Sequence, residues 1–305
     1  MTKLKTDEFS DEIIQHNENV EQLGVDKIGK NGKLKIILDV ELSTGKTRIK
    51  EKESMFPLGV KKEMHYDQFQ PNMTQVYIVS SSGGILQGDT CTIDIILEKN
   101  ALAHITTQGA TRVYGMNVSN AIQQIHVSLE DSAYLEFIPD QIIPYKNSRF
   151  YQEINFKVHD NATLVYSEIL SPGRIGMGEI FDYDICYLRT QAKNQQGELR
   201  FTDNTKIEPK KMNLQDFGLL DKKQILGTMY ILTKNTHVEK IIQDLEKIKN
   251  DIETIVGWST MTRDNGIMIR IIGNTTRDVF KLVYEVTKIV RKQILDSDFQ
   301  EIRKT

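Results

Sequence analysis

Ile95-Ile96-Leu97-Glu98-Lys99-Asn100-Ala101-Leu102-Ala103, Val127-Ser128-Leu129-Glu130-Asp131-Ser132-Ala133-Tyr134-Leu135 and Phe156-Lys157-Val158-His159-Asp160-Asn161-Ala162-Thr163-Leu164 repeat one pattern, and that pattern decides the fold. Each is an alternating apolar run, a polar turn, an alanine and a second alternating run. The alanines stand at 101, 133 and 162. An interval of about thirty residues is the mark of stacked strand-turn-strand units, each burying its apolar face on the next. Three ordinary hairpins in a β-sandwich carry the same alternation, so the pattern alone leaves that alternative open.

Strand signals continue on both sides of these units. Lys35–Leu42 alternates, Ser43-Thr44-Gly45-Lys46 makes a turn, and Thr47-Arg48-Ile49 resumes. Further strands are expected at Gln75–Val79, Thr92–Leu97, Ala103–Thr107, Ile122–Leu129, Tyr134–Ile138, Tyr151–Val158, Thr163–Ile169 and Phe181–Arg189. Residues 1–32 read as a polar extension with one short helix near Asp11–Asn17, and 33–208 as a solenoid-like body. From 209 to 305 the pattern changes to β-α-β-β-α. Ile225–Leu232 is a strand. Val238–Asn250 has helical spacing, with Thr236 and Glu239 placed as a capping box. Ile255–Met261 and Ile267–Ile272 form a hairpin around Arg263-Asp264-Asn265-Gly266, and Asn274 or Thr275 opens the last helix. This tail caps a stack whose ends need protection. The expected class is mainly β.

Bulk properties narrow the function. The 305 residues are 39% hydrophobic and 27% charged, ordinary values for a soluble globular protein. A formal net charge of −3 favours neither nucleic acid nor an anionic membrane surface as partner. Cys91 and Cys186 form no CxxC pair or disulfide framework, which fits a reducing cytoplasm. No signal peptide and no apolar run of the roughly 20 residues needed to span a bilayer are present.

The most unusual loop is Ser80-Ser81-Ser82-Gly83-Gly84-Ile85-Leu86-Gln87-Gly88-Asp89. Gly83, Gly84 and Gly88 imply positive φ or close backbone approach. A strand follows rather than a helix, which argues against a phosphate loop. Gly24-Val25-Asp26-Lys27-Ile28-Gly29-Lys30-Asn31 approaches a Walker motif but lacks the Ser/Thr that holds magnesium. A second irregular join, Ser171-Pro172-Gly173-Arg174-Ile175-Gly176-Met177-Gly178-Glu179, holds Pro172, Gly173 and Arg174, the last able to pin it with five fixed donors. Asp89, Glu136, Glu168 and Glu179 are carboxylates set in apolar sequence. Each either faces solvent or points inward, where it must be paired, protonated or bound to a cation. No nucleophile motif and no histidine cluster of zinc-site spacing occurs.

The order of the segments Val79–Asp89, Thr106–Tyr114, Leu135–Tyr145, Glu168–Arg174 and Gly178-Glu179 strongly resembles the urease accessory protein family UreD, called UreH in some organisms. The likeness runs from about Lys33 to about Gly273. It implies a β-superhelical body with helices near the C-terminus. It implies a non-enzymatic, cytoplasmic metallochaperone without a tightly bound cofactor. Its implied partners are the helical protein UreF, the GTPase UreG recruited through UreF, and apo-urease, in a hetero-oligomeric complex. Transient Ni2+ is expected to travel through an internal passage to urease. Position by position, Asp89 matches the acidic residue of a Gly-Gly-Asp segment whose first glycine is Gln87 here. Thr111 stands where a small hydroxyl residue is usual. Glu168 stands where Asp or Glu precedes a Gly-Arg turn. Asp203 matches a later acidic position through a gap near Gly197–Asn204. Glu136 and Glu179 match motif carboxylates with either a metal or a structural role. Oxygen ligands hold nickel more loosely than imidazole or thiolate, so such a set suits conduction over storage. A scaffold that only bridges urease and the accessory proteins is the alternative, and an enzyme acting at the Ser80–Asp89 loop a third. Phe280 and Tyr284 on the last helix are candidates for a UreF contact or for core packing.

Overall fold

The structure, a computed structural model, describes residues 29–214, 216, 218–248, 253–262 and 266–301. The expected helix at Asp11–Asn17, most of the near-Walker segment and the hairpin tip Arg263-Asp264-Asn265 lie outside those residues. The alternating runs form strands: β1 (Asn31–Val40), β2 (Thr47–Met55), β3 (Leu58–Val60), β4 (Thr74–Ser80), β5 (Thr90–Leu97), β6 (Leu102–Thr107), β7 (Thr111–Val113), β8 (Ala121–Leu129), β9 (Tyr134–Phe137), β10 (Ile142–Pro144), β11 (Arg149–Val158), β12 (Thr163–Leu170), β13 (Ile185–Lys193) and β14 (Leu199–Ile207). The C-terminal part adds β15 (Ile225–Leu232), helix α1 (Asn235–Leu245), β16 (Thr254–Thr260), β17 (Gly266–Gly273) and helix α2 (Thr276–Leu295).

The repeat resolves as a stack. Within a unit the two strands belong to different sheets, while β5 pairs β8 and β8 pairs β11 in parallel, as do β6 with β9 and β9 with β12. Hairpins would have given antiparallel pairs inside each unit. One sheet runs β14-β13-β11-β8-β5-β1-β2, and the second β16-β17-β15-β12-β9-β6-β4-β3. The result is mainly β, with a solenoid-like stacking of about four turns and two C-terminal helices. Ala101, Ala133 and Ala162 are buried where the chain crosses from one sheet to the other. Their backbones stack: the Tyr134 N–H donates to the Ala101 carbonyl at 2.9 Å, and the Thr163 N–H to the Ala133 carbonyl at 2.9 Å. A bulkier side chain at this crossing would push neighbouring units apart.

Inward rows from both sheets fill the space between them. Ile36, Ile95, Val127 and Phe156 face Val76, Ile105, Phe137 and Tyr166 in one apolar cluster. A second cluster lies on the other side of the second sheet, where Val165, Ile169, Met229 and Ile269 meet Ile241 of α1 and Val283 and Val286 of α2. Every residue of β12 is buried, because it is covered on both faces. Phe280 and Tyr284 are partly buried against this second cluster. The C-terminal strands continue the second sheet: β15 pairs β12 antiparallel, and β17 pairs β15.

Three local expectations need correction. The strand expected at Phe181–Arg189 is β13, beginning at Ile185, because Phe181 adopts φ 56° and breaks extension. Helix α1 begins at Asn235 with no side-chain cap, so Thr236 lies inside it. Thr275 does cap α2, its side chain accepting from the Asp278 N–H. Strand β14 was not expected, since its alternation is mostly polar.

Candidate functional site

A polar layer crosses the space between the sheets, and the period-two geometry of strands determines who joins it. On the first sheet the inward positions Cys91, Gln123 and Gln152 lie in register across β5, β8 and β11. The next inward row ends at Thr190 and Asp203, paired across β13 and β14. On the second sheet Tyr166 and Glu168 point inward from β12, paired with Tyr230 and Thr228 of β15. Arg270 of β17 is paired with Thr228.

At one end, the Ser80–Asp89 loop shapes a mouth. Ile85 bridges Val113, and its N–H donates to the Arg112 carbonyl at 2.8 Å. A Cβ on Gly84 would lie 2.6 Å from that carbonyl and 2.7 Å from the Tyr114 ring, so only glycine fits. Asp89 is buried. Its carboxylate accepts from the Gly29, Lys30 and Leu86 N–H groups at 3.2, 2.7 and 2.8 Å, with Lys30 Nζ at 3.9 Å. It therefore ties the loop to the start of β1 while still lining a cavity of about 300 Å³ with Ser82, Gly83, Cys91, Thr111 and Gln123. Behind it lies a chamber of about 30 Å³ lined by Thr107, Thr111, Gln123, Asp140, Gln152 and Glu168. Thr107, Thr111 and Gln123 line both spaces, so the two adjoin one another. The chamber has room for about one water-sized occupant.

Glu168 is the innermost acid. One carboxylate oxygen accepts from Gln152 Nε2 at 2.5 Å and from the Tyr166 hydroxyl at 3.2 Å. Burial pushes its pKa up to about 7, Asp203 pushes the same way, and Tyr166 and Arg270 oppose. Beyond it, Asp203 Oδ2 accepts from the Tyr230 hydroxyl at 2.5 Å and from Arg270 Nη2 at 2.6 Å. Arg270 Nη1 also donates to Thr228 Oγ1 at 2.5 Å. Burial raises both phenols, Tyr166 and Tyr230, so they stay protonated donors. Tyr230 stacks on Tyr166 and on Phe201, with centroids 5.9 and 4.9 Å apart, and all three rings belong to the apolar cluster between the sheets.

Of the six carboxylate and hydroxyl candidates, Asp89, Thr111, Glu168 and Asp203 thus share one layer, and Glu136 and Glu179 lie elsewhere. Glu136 sits on β9 between the inward Leu135 and Phe137, so it faces the other side of the sheet, toward α2. There it meets Arg291 Nε at 2.7 Å and Nη2 at 2.5 Å, His104 Nδ1 at 2.7 Å and the Tyr134 hydroxyl at 2.9 Å. Burial pushes Glu136 up, but Arg291 and His104 outweigh it and hold the group down at about 2. Arg291 also binds Asp67, so one guanidinium clamps two buried acids. Glu179 pairs with Arg174, which lies 4.2 Å over the Tyr145 ring, and accepts from the Lys146 N–H at 3.2 Å. Arg174 pins its loop, and Gly173, at φ 138°, leaves no room for a side chain against the Glu179 and Pro144 carbonyls.

Gln123, Gln152, Thr107, Tyr166, Tyr230 and Arg270 were missed by sequence reasoning. A signal existed: Gln123 and Gln152 stand two positions before Ile125 and Ile154, on the same inward face. Among the described residues, no three His, Cys, Asp or Glu side chains converge as a metal-holding group, and no helix is long and apolar enough to cross a membrane. The layer offers carboxylate, hydroxyl and amide oxygen along its length.

A model of the UreD urease accessory protein family matches residues 30–304. The chain is 38% identical over 286 residues to the urease accessory protein UreD of Cenarchaeum symbiosum, covering 93% of this chain and 99% of that one. It is 32% identical over 294 residues to urease accessory protein UreD 2 of Brucella canis, covering 95% and 96%. To UreD of Yersinia enterocolitica it is 32% identical over 295 residues, covering 93% and 89%.

Proposed function

This chain belongs to the UreD family of urease accessory proteins, which implies a role in urease maturation, and from that premise we propose that it is a non-enzymatic metallochaperone that carries Ni2+ through its inter-sheet polar layer. The observation that carries the reading is that one inter-sheet layer holds the mouth at Asp89, the adjoining chamber at Thr111 and Glu168, and the far acid Asp203. A dication needs oxygen ligands to replace its water, and weak, exchangeable ones if it is to leave again. Asp89, with three backbone N–H groups on its carboxylate, shapes the mouth and lends it negative charge. Thr111 supplies a neutral oxygen at the junction of the two spaces. Glu168 offers one exchangeable carboxylate in a chamber too small for a hydrated ion. Glu136 and Glu179, each held by an arginine, keep the walls in place.

In this proposal the chain works in the cytoplasm within a complex that includes UreF, UreG and apo-urease. A scaffold that only bridges urease and the GTPase is the competing reading. Glu168→Ala and Asp89→Ala separate the two. Urease co-purified with the complex is expected to keep its partners and lose nickel. Undiminished nickel with the partners retained would leave the bridging scaffold as the better account. Glu168→Ala is the cleaner arm, since Asp89→Ala also frees three N–H groups of the mouth.

A further inference from the structure

Arg270 stands at the end of the polar layer opposite the mouth, where a fixed positive charge is least expected on a route for cations. Its guanidinium makes two bonds there, one to Asp203 across the inter-sheet space and one to Thr228 on the neighbouring strand. Thr228 is in turn the cross-strand partner of Glu168. Glu168, Thr228 and Arg270 therefore form one continuous row on the inward face of the second sheet, and Asp203 faces it from the first. Building on the passage reading above, we propose that Arg270 is a gate: paired with Asp203, it closes the far end of the layer to a dication until the guanidinium swings away.

Three observations support the gate. First, Asp203 Oδ2 is already engaged by Tyr230 and Arg270, so a cation arriving from Glu168 meets an occupied carboxylate and a like charge. Second, the partners differ in freedom. The Arg270 side chain is 37% exposed against 15% for Asp203, while Thr228 and Tyr230 are buried. Only the arginine can leave without disturbing packed layers, and it has water to move into. Third, withdrawal would leave Asp203 and Glu168 facing the same space from opposite sheets, two carboxylates with no cation between them. Such a pair attracts a dication, which lets the last step of transfer be switched on by moving a single side chain. A merely structural ion pair at a sheet edge would predict none of this.

The test is equilibrium dialysis of the isolated full chain against nickel chloride. Arg270→Gln, which keeps a donor for Thr228, is expected to bind Ni2+ about tenfold or more tightly than the parent, because a repelling charge goes and a carboxylate is freed. Arg270→Lys keeps the charge and is expected to match the parent. Adding Asp203→Asn to Arg270→Gln is expected to abolish the gain. Arg270→Met supplies the neutral arm should the glutamine variant not fold. A folded neutral variant with parental affinity overturns the gate, as does a lysine variant that binds as tightly as the glutamine one. The outcome is separable from the passage reading. A failed gate with a sound passage still shows nickel loss in Glu168→Ala complexes, whereas a failed passage shows none.

Discussion

Replacing Glu168 by glutamine isolates what burial of this carboxyl does to the fold. Burial, which disfavours the charged form, pushes Glu168 up from its ordinary 4.5 to about 7. The folded chain thus holds this proton more tightly than the unfolded chain does. Its contribution to stability falls as pH rises from 4.5 to 7, and the penalty is complete above 7. At about 1.4 kcal/mol per pH unit, the charged form costs roughly 3 kcal/mol at pH 8 and less than about 1 kcal/mol at pH 5. Glutamine carries no charge at either pH. Its own misfit in the chamber, with an amide needing partners, is the same at both. The stability difference between Glu168→Gln and parent is therefore expected to shift in favour of glutamine by about 2–3 kcal/mol between pH 5 and pH 8. Urea unfolding of both proteins at the two pH values measures it, since every other titrating group cancels in the comparison. An equal difference at pH 5 and pH 8 would refute the claim that burial disfavours the charged carboxyl.

Arg291→Met leaves Glu136 and Asp67 buried without their shared guanidinium, and a fall in stability of roughly 3–5 kcal/mol is expected at neutral pH by chemical denaturation. Gly84→Ala drives a Cβ into the Arg112 carbonyl and the Tyr114 ring and is expected to cost about 1–3 kcal/mol, whereas Gly109→Ala, with open space around it, is expected to leave the melting temperature unchanged. Leu164→Ala removes a fully buried side chain between the sheets, and a loss of roughly 2–5 kcal/mol is expected in urea unfolding.

The stack was legible because its cause is local. An alternating run, a turn and a small residue recur, and Ala101, Ala133 and Ala162 are small because the crossing between sheets is tight. The direction of the acids was not legible. Leu164-Val165-Tyr166-Ser167-Glu168-Ile169-Leu170 shows no clean alternation, since both of its faces are covered, so nothing local says which way Glu168 points. Glu136 differs from Glu168 only in which neighbours share its face, and that becomes visible through the pairing of Glu136 with Val165 and of Phe137 with Tyr166. Gln123, Gln152 and Arg270 resembled solvent-facing strand residues. Their inward direction follows from period two with Ile125, Ile154 and Met268 on the same strands, whereas their meeting in one layer is set by long-range pairing. Strand β14 escaped notice for a related reason: only Arg200, Phe201 and Ile207 in it are buried, and the rest is polar apart from an exposed Leu199.

The account stands or falls on whether nickel reaches urease through the chamber at Glu168. Metal analysis of urease matured with a chain carrying Gln152→Leu and Glu168→Leu, two apolar side chains of similar bulk facing each other there, measures this directly. With UreF, UreG and urease still co-purifying, the prediction is urease nearly free of nickel. A full complement of nickel in that urease would contradict it.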